Sequence, residues 1–272
     1  TLSDFASGYL YFGLHATKNG WCFREWAPNA TKIYLIGDFS DWKELPQYEL
    51  KRKENGVWEI ELPKKALEHG QYYKLKVYWE GGQGERIPAW VRRVVQDDAT
   101  QIFSAQVWNP KKQYKFKHKK FKPKCSPLLI YECHIGMAQE EGKVGSYREF
   151  TENVLPRVKA LGYNTIQIMA IMEHPYYGSF GYQVSNFFAA SSRYGRSEEL
   201  KALVNRAHEL GIAVLLDVVH SHAVKNTNEG LNEFDGTVYQ FFHEGEKGNH
   251  SAWGTKLFNY GKNEVLCFLL SN

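Results

Sequence analysis

Cysteine is scarce and scattered. Cys22, Cys125, Cys133 and Cys267 form no C-x-x-C pair, so neither a disulfide framework nor a zinc knuckle is expected. Long apolar runs are missing too. None approaches the ~20 residues a membrane helix needs, and the opening "TLSDFASGYL" has no basic n-region or signal core. No membrane partner and a cytoplasmic location are therefore expected. The first residue is Thr, not Met, which implies an amino terminus that was processed or cut. Acid is absent from one stretch, "NPKKQYKFKHKKFKPKCSP" (109–127), which holds eight lysines. Elsewhere acids outnumber bases, so the net charge of +4 is local. Tyr114, Phe116 and Phe121 among those lysines could stack on a nucleic acid. With no further basic face, a solvated linker is the preferred reading, and nucleic acid is not expected as a partner.

What is present is an ordinary globular composition, 43% hydrophobic and 24% charged. Its length suits one large or two ordinary domains. Residues 1–108 read as all-β. Aromatic and β-branched runs at "WCFREWA" (21–27), "KIYLIGDF" (32–39), "VWEIELP" (57–63), "YYKLKVYW" (72–79) and "TQIFSAQVW" (100–108) are separated by turn residues. Such spacing predicts a small β-sandwich. Residues 109–127, bounded by prolines, read as an extended linker.

From Leu128 the period changes. "LLIYECHIG" (128–136) and "TIQIMAI" (165–171) read as buried strands. Between them "SYREFTENVLPRVKALG" opens on a capping box, Ser146 and Glu149, with Phe150, Val154, Val158 and Leu161 on one helical face. A second helix is expected over 197–210, with Leu200, Leu203, Val204, Ala207 and Leu210 in register, and Gly211 ends it. "LLDVVHSH" (215–222) is then a third buried strand, and "NEVLCFLLSN" starts another helix. Alternating strands and helices predict a parallel α/β unit over 128–272. The long segments 172–196 and 220–262 follow strands, where active sites gather.

Asp217, His220 and His222 thus fall on a site floor. A metal is one reading, but no third His or Cys stands at ligand spacing. Structural hydrogen bonding is another, and a polar-ligand site a third. The loop "EHPYYGSFGYQ" (173–183) supports the last: Tyr176, Tyr177, Phe180 and Tyr182 offer flat faces, and two glycines allow tight bends. Sugars, apolar on one side and hydroxylated on the other, suit aromatic platforms beside acidic groups. Trp42, at the turn in "IGDFSDW", is either an exposed platform or an ordinary buried tryptophan.

The motifs "IYECHIGM", "LPRVKALGYNTIQIMAIMEHPYYGSFGYQ", "FFAASSRYG", "LLDVVHSH", "GLNEFDGT" and "LFNY" resemble the glycogen and starch branching enzymes of the eukaryotic type, in the alpha-amylase superfamily. "REWAPNA" and "GDFSDW" look like their amino-terminal carbohydrate-binding module. The resemblance implies a β-sandwich module followed by the first three β/α units of an incomplete (β/α)8 barrel. It also implies transfer of α-1,4-glucan segments to α-1,6 positions, with glycogen, amylose or amylopectin as partner and no cofactor or metal. Asp217 and His222 match positions lining the subsite of the sugar being cleaved, and Tyr182 matches the tyrosine stacking beneath it. Trp26, Ala27, Pro28, Trp42 and Lys74 match module positions that touch glucan in relatives. The retaining reaction needs two carboxyl groups about 5 Å apart. By the resemblance these follow the fourth and fifth barrel strands, beyond Asn272, so a fragment is implied and no catalytic residue is assigned here. Cys267 stands where relatives usually carry arginine. A non-catalytic α-glucan-binding protein is the alternative.

Overall fold

The computed structural model describes residues 1–123 and 127–272. The reading of Cys125 and of the end of the basic stretch falls partly on 124–126, outside the described residues. The amino-terminal half is a two-sheet sandwich. One sheet runs β1 (Gly13–Ala16), β2 (Gly20–Trp26), β5 (Val57–Pro63) and β4 (Lys51–Arg52), all antiparallel. The other runs β3 (Lys32–Gly37), β6 (Tyr72–Trp79), β9 (Phe103–Gln106) and β8 (Val94–Gln96), with β7 (Gly82–Arg86) also on β6. Alternation is clear in β5, where Trp58, Ile60 and Leu62 point inward, and in β6, where Tyr73, Leu75 and Val77 do. Each such fully buried side chain contributes about 2 kcal/mol of apolar transfer.

The second half is built on three parallel strands, β10 (Ile130–Cys133), β11 (Thr165–Ile168) and β14 (Ala213–Leu216), with β11 in the middle. The helix Ser197–Glu209 crosses between β11 and β14 and buries Leu203 and Ala207 against Ile166 and Ile168. The helix after β10 is less regular than its pattern predicts. Its capping box is present, with Ser146 N–H donating to Glu149 Oε2 at 2.9 Å and Glu149 N–H to Ser146 Oγ at 3.2 Å. Pro156 has no amide to donate, and Phe150–Val154 form a wider π-turn before the α-helical stretch Leu155–Ala160. That turn rotates the apolar face: Leu155 and Val158 are buried, while Leu161 is 71% exposed.

Of the three strands expected to be buried, only β11 is. Leu128, Leu129 and Ile130 are exposed on one side of the sheet, as are Leu216 (49%) and Val218 (54%) on the other. An unbroken apolar run signals cover on both faces, and among the described residues β10 and β14 each have a strand neighbour on one side only. The long post-strand segments carry small sheets of their own. These are β12 (Met172–Glu173) with β13 (Asn186–Ala190), and β15 (His222–Ala223) with β16 (Asn249–His250) and β17 (Thr255–Leu257).

The two halves share one hydrophobic cluster. Trp26 meets Phe241 edge-on at 5.5 Å, and Trp90 stacks on Phe188 at 4.8 Å. Polar contacts accompany them: Asn29 N–H donates to Asp235 Oδ2 at 3.0 Å, and Gln240 Nε2–H to Trp26 O at 2.6 Å. The basic stretch has no regular structure over 109–123 but is not solvated throughout. The amides of Lys117 and His118 both donate to Asn205 Oδ1, and Phe121 stacks on His208 with centroids 4.1 Å apart.

Candidate functional site

Asp217 follows β14 directly, its amide donating to Ile168 O at 3.0 Å. Both carboxylate oxygens are held. Gln167, on β11, donates to Oδ1 at 2.9 Å, and the Tyr182 hydroxyl donates to Oδ2 at 2.8 Å. Tyr182 is carried there by a tight loop that needs its glycine. Gly181 has φ +91°, and a Cβ on it would lie 1.8 Å from Ala170 O. Burial, then the bond to Asp217, pushes the Tyr182 hydroxyl up to about 12, so it stays a neutral donor. The loop start is clamped by Glu173, fully buried, whose carboxylate accepts from Ser191 Oγ at 2.9 Å and Ser192 N at 2.8 Å.

His222 is buried on β15, its Nδ1 lying 2.9 Å from Thr255 Oγ1. Burial, and then His250, hold its pKa below the usual histidine value. At neutral pH it is an uncharged imidazole, suited to bonding a hydroxyl. Trp253 lies 5.0 Å from the rings of both His222 and His250. His220 is turned elsewhere: its Nε2 lies 2.8 Å from Asn272 Oδ1. Among the described residues, no group of three or more His, Cys, Asp or Glu side chains converges as a metal site would require.

In the other loop aromatics the roles divide. Tyr176 is exposed, whereas Tyr177 and Phe180 pack edge-on against His134 at 5.9 and 5.7 Å. Gln167, Thr255 and Trp253 were not picked out from the sequence. Gln167 left a signal there, as a lone polar residue inside the apolar strand "TIQIMAI".

The module positions fall into two places. Trp42 is 41% exposed with φ +58°, and its indole N–H donates to Asp38 Oδ1 at 3.2 Å. Lys74 lies opposite Ile36 on the sheet carrying that turn and pairs with Glu85 Oε2 at 3.2 Å. Trp26 and Pro28, with Asp235, Tyr239 and Lys262, line a cleft of about 440 Å³ between the two halves. Ala27 is fully buried; its amide donates to Gly56 O, and its carbonyl accepts from the Trp58 indole at 2.9 Å. Its backbone is spent on the fold.

A carbohydrate-binding module leading into an alpha-amylase-type catalytic domain is the class these features define. The family model described as carbohydrate-binding module 48 (isoamylase N-terminal domain) matches residues 11–91, and that of the alpha amylase catalytic domain matches 138–255. The whole chain is 50% identical to a 1,4-alpha-glucan-branching enzyme of Dictyostelium discoideum, of which it covers 41%. It is 51% identical to that of Aspergillus oryzae, again over its whole length and over 40% of the relative. Over its whole length the chain is thus similar to 1,4-alpha-glucan-branching enzymes, and it spans about two-fifths of the length of these curated relatives. Among solved structures, a pullulanase from Bacillus acidopullulyticus aligns with TM-score 0.76 and 21% identity, covering 96% of this chain and 36% of that one. The catalytic module of a multi-modular glycogen-degrading pneumococcal virulence factor aligns with TM-score 0.73 and 20% identity, covering 95% and 44%. At such identity these two structures bear on the fold.

Proposed function

We propose that the chain supplies the glucan-holding part of a 1,4-alpha-glucan branching enzyme of the cytoplasm. The transfer of α-1,4 segments to α-1,6 positions would be completed by carboxylates outside residues 1–272. The observation that carries this reading is the arrangement at Asp217. A carboxylate just past β14 is fixed by Tyr182 and by Gln167 of β11, and His222, five residues further on, is buried beside Thr255 and neutral. Such groups can bond vicinal sugar hydroxyls while the Tyr182 ring meets the apolar sugar face. Trp42 and Lys74, and the cleft at Trp26 and Pro28, are read as glucan contacts of the module. Calorimetric titration of the chain with maltoheptaose tests this; saturable binding weakened by Asp217→Asn is expected, and no binding at all overturns it. A non-catalytic α-glucan-binding protein is the second reading, which the carbohydrate-binding-module match over residues 11–91 would satisfy by itself. Sequencing the coding region past Asn272 separates the two, since only the enzyme reading requires the fourth- and fifth-strand carboxylates there.

A further inference from the structure

A cleft of about 820 Å³ lies between the amino-terminal half and the helix Ser197–Glu209, sharing no lining residue with Asp217, Tyr182 and His222 or with Trp26, Trp42 and Lys74. We infer that this cleft is a separate binding site for an α-1,4-glucan segment. Its volume is that of a ligand cleft, not of a packing defect. Tyr9, Trp21 and Trp108 are among the six tyrosine, tryptophan and phenylalanine rings that line it, with the polar side chains of Arg92, Gln113 and Glu198.

Charge argues for a neutral ligand. The Arg92 guanidinium already donates to Tyr9 O at 2.9 Å, and Glu198 stands across from Lys201 in sign, so no cation cluster is offered to a phosphate or an acidic chain. Burial holds His15, in the same wall, below the usual histidine value, which leaves it uncharged at neutral pH. One acceptor is unfilled. The Trp108 indole N–H donates to Glu198 Oε1 at 3.0 Å, while Glu198 Oε2 is buried and accepts no hydrogen bond. Buried polar atoms are ordinarily paired, and a ligand hydroxyl would supply the donor. Flat rings, fork-shaped donors and an unpaired carboxylate oxygen, with little net charge, are what a polyhydroxylated chain with apolar ring faces requires. That the sugar is α-1,4-linked glucose rests on the branching-enzyme reading above.

The test is a titration of the isotope-labelled 272-residue chain with maltoheptaose, followed by NMR of the tryptophan indole N–H signals, assigned by single Trp→Phe variants. Saturable shifts of the Trp21 and Trp108 signals are expected. Tyr9→Ala with Gln113→Ala, both at exposed positions, should raise the Kd read from those signals about threefold or more. The Trp42 titration should be unchanged in that double variant. If Trp42 responds while Trp21 and Trp108 do not, the cleft site is wrong and the branching reading stands. If no indole responds, both fail. Equal shifts with cellohexaose would overturn the α-1,4 assignment.

Discussion

The Tyr182 hydroxyl lies 2.8 Å from Oδ2 of Asp217, across 35 residues of chain. The bond ties the glycine-hinged loop to the end of β14, so the ring and the carboxylate present themselves to a ligand as one unit. Removing the ring should therefore cost more than removing the hydroxyl. Tyr182→Phe is expected to weaken maltoheptaose binding by about fivefold, the worth of one hydrogen bond. Tyr182→Ala should weaken it further, because the flat face is lost as well. Calorimetry on the two variants checks the order; equal affinities for Tyr182→Ala and the wild type would remove Tyr182 from the site.

Trp42 holds a left-handed backbone with its indole N–H tied to Asp38. An exposed tryptophan fixed in this way presents its face with little conformational freedom left to lose. Trp42→Ala should reduce retardation of the chain on glycogen affinity gels several-fold while leaving its thermal unfolding midpoint within about a degree, as for other surface changes. Unchanged retardation would remove Trp42 from the contact surface.

No transition metal is expected at Asp217, His220 and His222. The Asp217 oxygens accept from Gln167 and Tyr182, His222 is paired with Thr255, and His220 with Asn272. Three side chains with separate partners do not make a coordination sphere. Stoichiometric zinc or manganese on elemental analysis of the purified chain would contradict this.

Glu25 gives the module a pH dependence. Fully buried, it accepts from Trp26 N at 3.0 Å and Ala89 N at 2.8 Å, yet burial dominates and pushes its carboxyl up to about 8. The unfolded chain, with an ordinary glutamate near 4.5, releases this proton at lower pH than the folded one. Between those values the folded state binds more protons, so stability falls as pH rises, by on the order of 1 kcal/mol per pH unit. Urea midpoints should decline from pH 5 to pH 8. Glu25→Gln should flatten that slope, and it should be less stable at pH 5, because an amide NH2 would face one of the two backbone donors. A wild-type midpoint constant across the window would show that Glu25 is ionised in the fold.

The sandwich was legible because its strands alternate and are punctuated by turns. Short β1, β4, β7 and β8 were not, since two to five residues carry too little period. In the second half, β11 and the helix Ser197–Glu209 matched their patterns. Burial at Leu216 and Val218 did not, because side-chain character reports the environment a strand suits, not the neighbours present. The helix face failed at Leu161 because a π-turn changes the period without changing composition. Of the site, Asp217, Tyr182 and His222 could be picked out by residue type. Their partners Gln167 and Thr255 depend on register between β11 and β14 and between β15 and β17, and pairing of that kind is not written in either strand alone.

The 272-residue chain by itself should not branch glucan. Family resemblance places the nucleophile and the acid/base after barrel strands four and five, and the described strands of the parallel sheet are three. Asp217 cannot take over the attack easily: its oxygens already accept from Gln167 and Tyr182, which stabilise a carboxylate at rest and lower its nucleophilicity. Rigidity is the second obstacle. Val218 and Leu216 beside Asp217, and Leu128 and Leu129 just before β10, are exposed apolar side chains at the two edges of the sheet, a surface that favours self-association. A site whose floor can shift by an ångström loses large factors in rate. Amylose incubated with the isolated chain should keep its iodine colour, and light scattering should report species larger than the 31.5 kDa monomer. New α-1,6 linkages that disappear in Asp217→Asn would place catalytic chemistry within these residues and overturn the assignment of the reacting carboxylates elsewhere.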